Sequence, residues 1–258
     1  CWGVADDGDA IELAASGSLF DQLEKRWPPL GLTRQSQSCQ PVERRITIVA
    51  DPSGGDPEVL VDGESSWGGW ARAESEMALF TAERLTDLVA VHAAVIVQGA
   101  MALLVPGPSG VGKSSLCVAA HTAGAKVLAD EYALVDPATG LVSGWRRPVR
   151  VRREDGGVDR LDLAVESEPV PVGLVALVKH DPTTAQTWAP IGGAEAVLGL
   201  LANTVCAQSR PDESLDAALA IARSAAAVSG TRGEAAHAIV ELLATLDDGG
   251  RAWDGADS

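Results

Sequence analysis

The chain has 258 residues, of which 46% are hydrophobic and 22% are charged, and its formal net charge is −16 at pH 7. This length supports a large domain whose core needs no disulfide or metal, and the composition is too apolar for a disordered protein. The negative charge argues against nucleic acid and anionic membranes as partners, because like charges would have to meet.

The cysteine and hydropathy patterns predict a cytoplasmic protein. Cys1, Cys39, Cys117 and Cys206 lie far apart and match no metal-ligand spacing, which is typical of a reducing compartment. No apolar run approaches the length of a membrane span, which is roughly 18 residues. We therefore expect no membrane and no nucleic acid among the partners.

The first 75 residues predict a β-rich N-terminal extension. A short helix is predicted over 18–26, and strands over 45–49 and 59–61 flank a hairpin turn. Residues 66–71 are expected to continue this sheet. Four of the seven tryptophans lie in this region, which fits either a peptide-recognition surface or a small core: Trp2, Trp27, Trp67 and Trp70.

A core domain is predicted over 76–246, beginning with a helix over 76–86. Its first two strands, 91–97 and 102–105, form a hairpin, and shorter strands follow over 125–129, 132–136 and 141–143. A continuous apolar run over 172–178 is typical of a central strand. Helical spacing predicts three further helices, and a Gly- and Asp-rich stretch predicts a disordered tail: helices 194–201, 214–227 and 234–246, and tail 247–258.

Residues 107–114, which we call the phosphate loop, match the pattern G-x-x-x-x-G-K-[ST] between a predicted strand and a predicted helix over 114–121. Glycines let backbone N–H groups turn toward an anion, and the helix adds the positive end of its dipole. A chance Gly-rich turn is the alternative, which the flanking strand and helix disfavour. The candidate nucleotide-binding residues are Gly107, Pro108, Ser109, Gly110, Val111, Gly112, Lys113, Ser114 and Ser115.

Two side chains of the loop and an acid pair carry the candidate chemistry. Lys113 supplies a positive charge for the β- and γ-phosphates, and the Ser114 hydroxyl is a candidate Mg²⁺ ligand. Asp130 and Glu131, the acid pair, end the strand that follows the loop's helix. A base or a metal ligand at this position would face the terminal phosphate. For Asp130, the alternatives to a base are a Mg²⁺ ligand and a strand-end cap.

The pattern formed by His92, the phosphate loop and the acid pair resembles the catalytic half of HPr kinase/phosphorylase. His92 lies 15 residues before Gly107, and Asp130 lies 23 residues after it. The resemblance covers roughly residues 76–180. It implies an α/β fold with a phosphoenolpyruvate-carboxykinase-like P-loop kinase core, a mixed sheet with flanking helices, here joined to the small β-rich extension. It extends to smaller HPr-kinase-like proteins, some of which accompany peptide-modification clusters such as those for lasso peptides.

The resemblance implies ATP and Mg²⁺ as cofactors and a serine hydroxyl of a peptide or small protein as acceptor. Asp130 would be the general base, His92 its neighbour, Lys113 the phosphate-binding cation, and Glu131 with Ser114 the metal ligands. A core-edge histidine is the alternative for His92. A homo-oligomer is also implied, since HPr kinases assemble as hexamers.

Several positions depart from the family's pattern. Glu131 stands where the family has Asp, and Ser115 where it usually has Glu. The family's Mg²⁺-binding glutamate has Glu154 and Asp155 as candidates, although the surrounding signature is absent. No phosphorylase signature is recognisable, so kinase activity without phosphorolysis is expected.

The family also places an arginine after the strand equivalent to 172–178, where this chain has none. Arg210 is a candidate substitute, with a solvated loop arginine as the alternative. A basic cluster over 146–153 could bind an acidic peptide or nucleotide phosphates, or could form an exposed strand face. Two other functions stay open: a non-catalytic ATP-binding regulatory module and a small-molecule hydroxyl kinase.

Overall fold

The computed structural model describes residues 2–4, 10–15, 19, 22, 32–34, 43–66, 68–145, 147–152 and 158–249. The chain divides into two compact units, 1–85 and 86–258. Most of the predicted helix 18–26 and most of the predicted tail lie outside the described residues. None of the described helices has both the length and the apolar character needed to cross a membrane.

The first unit contains a six-stranded sheet in the order β3-β1-β2-β4-β5-β6. The predicted hairpin is confirmed, because β4 and β5 pair antiparallel with Ile46 opposite Val61. The elements are β1 Trp2–Val4, β2 Ala10–Ala15, β3 Leu32–Arg34, β4 Arg44–Val49, β5 Glu58–Val61, β6 Glu64–Ser66 and helix α1 Gly69–Glu83.

Helix α1 begins earlier than predicted, and the expectation that the sheet continues over 66–71 is wrong beyond Ser66, because residues 69–71 belong to the helix. Gly68 and Gly69 both have positive φ, at 115° and 49°, which turns the chain out of β6 and into the helix. Trp70, which is 6% exposed, then lies in the first turn of α1. The predicted domain boundary at 75/76 falls inside this helix, which groups with the first unit.

Of the four tryptophans predicted to line a surface or fill a core, Trp70 is the one whose side chain the structure describes. It is buried, as a core residue would be. Trp2 lies in β1 without a described side chain, and Trp27 and Trp67 lie outside the described residues.

The second unit is a mixed α/β structure with a large sheet in the order β11-β10-β7-β8-β14-β16-β15, and β9 also pairs with β7. The β8–β14 and β14–β16 pairs are parallel. A separate hairpin joins β12 to β13. The large-sheet strands are β7 Val89–Gln98, β8 Met101–Pro106, β9 Lys126–Ala129, β10 Tyr132–Val135, β11 Val142–Gly144, β14 Val172–His180, β15 Thr187–Pro190 and β16 Ala226–Arg232; the hairpin strands are β12 Val149–Arg152 and β13 Val158–Leu161.

Helices cover both faces of the large sheet because strand side chains alternate between faces. Along β7, Val91 and Val95 belong to the apolar cluster on one face, whereas Ala94 and Ile96 belong to the cluster on the other. Helices α3 and α4 pack on the first face, and α2 and α5 pack on the second. Their bounds are α2 Lys113–Thr122, α3 Gly193–Leu201, α4 Pro211–Ala222 and α5 Ala235–Asp247.

One predicted helix is wrong at its carboxyl end. Helix α4 stops at Ala222, and the alanines at 226 and 227 begin strand β16 instead of extending the helix over 214–227. The alanine-rich composition favours a helix locally. Pairing of this segment between β14 and β15 overrides that preference.

Candidate active site

The phosphate loop connects β8 to α2 as the sequence predicts. Gly107 N donates to His92 O on the adjacent strand at 3.1 Å, which holds the loop against β7. Gly110 and Gly112 have φ of 98° and 87°, a left-handed conformation that favours glycine. Pro108, Ser109 and Gly110 are exposed, so the outer part of the loop is open to a ligand.

Lys113 lies folded onto its own loop. Its Nζ donates to Gly107 O at 2.5 Å and to Pro108 O at 3.1 Å, and the residue is 6% exposed. Burial lowers the pKa of Lys113 to about 8, against the opposing effect of Glu131 and Asp130. The loop therefore holds a lysine that stays largely charged at neutral pH and loses that charge in mild alkali.

Asp130 lies at the amino end of helix α2, beside the second loop side chain. Ser114 Oγ donates to Asp130 Oδ2 at 3.0 Å, and Arg150 N donates to the same oxygen at 3.4 Å. The residue is 8% exposed. Burial raises the pKa of Asp130, although the hydrogen bond from Ser114 opposes the shift. A raised pKa makes this carboxylate a stronger base than an exposed aspartate.

His92 lies opposite Tyr132 in the β7–β10 pair, at the corner where the chain passes from β9 to β10. Its ring packs against Tyr132 with centroids 5.8 Å apart. Burial, reinforced by the charge of Lys113, lowers the pKa of His92 to about 4, so the imidazole is neutral at physiological pH. The structure brings His92, Lys113 and the acid pair together at one end of the sheet's strands.

Glu131 makes contacts different from those expected of a metal ligand. Its carboxylate forms ion pairs with Arg147 and with Arg150, the latter at 3.3 Å. Both arginines belong to the basic cluster predicted over 146–153, and here they bind an acid of the chain itself. Among the described residues, no group of three or more His, Cys, Asp or Glu side chains is placed to hold a metal ion.

The structure places an arginine at the phosphate loop that sequence reasoning missed. Arg232, at the end of β16, is 2% exposed, and its Nη2 donates to Gly112 O at 3.2 Å while Nη1 donates to Gly233 O at 2.7 Å. The signal is hidden in the sequence because the composition of 226–227 favours a helix. Strand β16 is parallel to β14, and β14 is parallel to β8. The last residue of β16, Arg232, therefore lies at the same end of the strands as the loop that follows β8.

The other candidate cation lies elsewhere. Arg210 donates to Thr86 O at 2.8 Å and to Leu88 O at 3.2 Å, so its guanidinium holds the segment that leads into β7. Glu154 and Asp155 lie outside the described residues. Ser115 is exposed in the first turn of α2.

No family model matches the sequence, and no curated protein matches it. Among solved structures, the Hpr(Ser) kinase/phosphatase from Coxiella burnetii is similar over 63% of this chain and 96% of that chain, with 14% sequence identity and a TM-score of 0.35. A likeness at this level assigns no activity to the chain, so its function is inferred from the geometry of the phosphate loop and the acid pair.

Proposed function

We propose that this chain is an ATP-dependent kinase that transfers the γ-phosphoryl group to a serine-type hydroxyl of a peptide or small protein. The observation that carries the proposal is the hydrogen bond between Ser114 Oγ and Asp130 Oδ2. It places a buried carboxylate of raised pKa beside the phosphate loop. An attacking alcohol loses its proton during phosphoryl transfer, and Asp130 is the group that would accept it.

The loop supplies the binding half of this reaction. Backbone N–H groups of the loop and the amino end of α2 would bind the phosphates. Lys113, released from its bonds to Gly107 O and Pro108 O, would contact the β- and γ-oxygens. Arg232 would add a second positive charge at the other end of the loop. His92, whose low pKa keeps it neutral, would fill the space beside Lys113 without repelling it.

The residues present fit Mg²⁺ through two oxygen donors, Ser114 Oγ and one carboxylate oxygen of Asp130, while the other carboxylate oxygen of Asp130 would accept the proton of the alcohol. Ser114 Oγ and Asp130 are adjacent, and Mg²⁺ is commonly held by one or two carboxylates together with substrate phosphates. Bound there, the ion would neutralise charge on the β- and γ-phosphates. Glu131 is paired with two arginines, and we propose that it positions those arginines instead of binding the metal.

The test is phosphate transfer from γ-labelled ATP with Mg²⁺ to an array of serine peptides and its matched array with alanine in place of serine. Label on serine peptides alone, lost in Asp130→Asn, supports the kinase. Asp136→Asn is the matched control, because Asp136 follows the far end of β10 and its carboxylate accepts hydrogen bonds within its own turn, from Ala138 N and Thr139 Oγ1. Tight ATP binding without transfer to peptides or to small hydroxyl compounds would instead indicate a regulatory module, and label on the small compounds alone a small-molecule kinase.

A further inference from the structure

Two buried polar atoms at the end of the β15–β16 pair have no hydrogen-bond partner among the described residues. They are Nε of Arg232, a donor, and Oε1 of Gln186, an acceptor. A buried polar group left unpaired destabilises the fold, so such atoms are rare and need an explanation. A donor and an acceptor left over in one place can both be satisfied by a ligand that carries both kinds of group.

The strand register brings these two residues together. Strand β15 pairs antiparallel with β16, and Thr187 is opposite Thr231. Gln186 directly precedes this pair and Arg232 directly follows it, so the two residues flank the same end of the β15–β16 ladder. The loop that leads to Gln186 also starts at this point, because Asp181 N donates to Arg232 O at 3.0 Å.

The contacts of Trp188 and Arg232 put this end of the β15–β16 pair on the face of the sheet that carries the phosphate loop's helix. Trp188, two residues after Gln186, packs in the same cluster as Leu116 of α2 and donates from Nε1 to Glu241 of α5 at 2.9 Å. Residues two apart on a strand share a face, and continuing that alternation one residue before β15 would put the Gln186 side chain on the face of Trp188. Arg232 reaches that face directly through its bond to the phosphate loop.

The sheet order separates this pair from the acid pair. Strand β8 leads into the loop. On one side of β8 lie β7, β9 and β10, with His92 and the acid pair. On the other side lie β14, β16 and β15, with Arg232 at the end of β16 and Gln186 just before β15. A nucleotide whose terminal phosphorus faces Asp130 would direct its other end toward Gln186. Ionised phosphates only accept hydrogen bonds, so the Gln186 oxygen needs a donor that a nucleoside has and a polyphosphate lacks.

We propose that Gln186 is a nucleoside-binding residue, whose carboxamide oxygen accepts a hydrogen bond from a hydroxyl or amino group of the nucleoside while Arg232 Nε donates to a phosphate oxygen. The inference rests on the proposed function, because it needs a nucleotide in the loop. It adds the residue that distinguishes a nucleoside triphosphate from a bare polyphosphate.

The experiment measures dissociation constants for ATP and for inorganic triphosphate with wild-type protein, Gln186→Met and Gln98→Met. Methionine keeps the unbranched shape and removes the acceptor. Gln98 is the matched control because it ends β7 at the hairpin to β8, at the opposite end of these strands from the phosphate loop. We expect Gln186→Met to weaken ATP about tenfold, the effect of one hydrogen bond, and to leave triphosphate unchanged. Gln98→Met should change neither.

Three ATP analogues, each lacking one nucleoside donor, identify the group that Gln186 binds: purine riboside triphosphate, 2′-deoxy-ATP and 3′-deoxy-ATP. At least one should bind wild-type protein about tenfold more weakly than ATP, in line with one lost hydrogen bond, and should lose nothing further in Gln186→Met. If none does, Gln186 contacts no nucleoside donor and the inference fails. Equal losses for ATP and triphosphate in Gln186→Met, or an ATP affinity within about twofold of wild type, would also overturn the inference alone. Wild-type protein that binds neither ligand would overturn the proposed function with it.

Discussion

The affinity for ATP should fall steeply in mild alkali because of Lys113. Burial lowers the pKa of its ammonium group to about 8 in the free protein, and only the charged form attracts phosphate. From that value, about nine tenths of the lysines carry a charge at pH 7 and about one tenth at pH 9. If the bound lysine stays charged throughout, the dissociation constant for ATP should rise about tenfold between these two pH values.

Isothermal titration calorimetry of ATP from pH 7 to pH 9 measures this change. The second ionisation of a phosphate monoester has a pKa of about 6, so the ligand is already about nine tenths ionised at pH 7 and its own charge changes little up to pH 9. Binding at pH 9 should also take up a proton, which appears as a dependence of the measured enthalpy on the buffer. A lysine at its ordinary pKa would give neither effect.

Lys113→Met and a control, Lys126→Met, show whether the pH dependence of ATP affinity comes from Lys113. Lys113→Met should bind ATP weakly and with no pH dependence over the range. Lys126, an exposed lysine on β9, should be replaceable with the wild-type pH profile intact. A wild-type affinity that stays flat from pH 7 to pH 9 would refute the reasoning, since the lysine that binds the phosphates would then not have a lowered pKa.

Three further variants test the site. Asp130→Asn should lower phosphoryl transfer by about 10²–10⁴-fold without lowering the melting temperature at pH 7, because a carboxyl whose pKa burial raises destabilises the fold when ionised; a lower melting temperature would contradict this. Gly112→Ala should weaken ATP binding more than Gly110→Ala, since both have positive φ but only at Gly112 would a methyl meet Arg232 Nη2; equal losses in calorimetry would argue against a role for that contact. Glu131→Gln should loosen the β12–β13 hairpin by about 1–3 kcal/mol, the cost of losing a hydrogen-bonded charged partner, seen as faster hydrogen exchange in that hairpin alone.

Much of the second unit was predictable because its signals are local. The glycines and Lys113 of the phosphate loop identify the strand-to-helix turn from eight residues. The apolar run over 172–178 indicates a buried strand, and it is the central strand β14. The acid pair follows a short strand, β9, in the sequence. In the structure β9 pairs with β7, which also pairs with β8, so the acid pair lies beside the phosphate loop.

What could not be predicted depends on pairing between distant segments. The residues of β16 begin with a helical composition, and only their position between β14 and β15 makes them a strand. Arg232 was missed for that reason, since an arginine after a helix says nothing about a phosphate site. The orphaned oxygen of Gln186 was equally hidden, because hydrogen-bond satisfaction is a property of the folded chain.

The contacts of Glu131 explain why a basic cluster belongs to an acidic chain. Two neighbouring carboxylates at one sheet edge repel each other, and the charge of Glu131 adds to the raised pKa of Asp130. Arg147 and Arg150 pair with Glu131, and Arg147 also lowers the pKa of Asp130. The charge of Arg147 and the backbone N–H of Arg150 thus favour the ionised form of Asp130 despite its burial. A general base must be ionised to accept a proton. A phosphate bound at the loop would add negative charge beside Asp130 and raise its pKa further. The same arginines would oppose that rise while the nucleotide is bound.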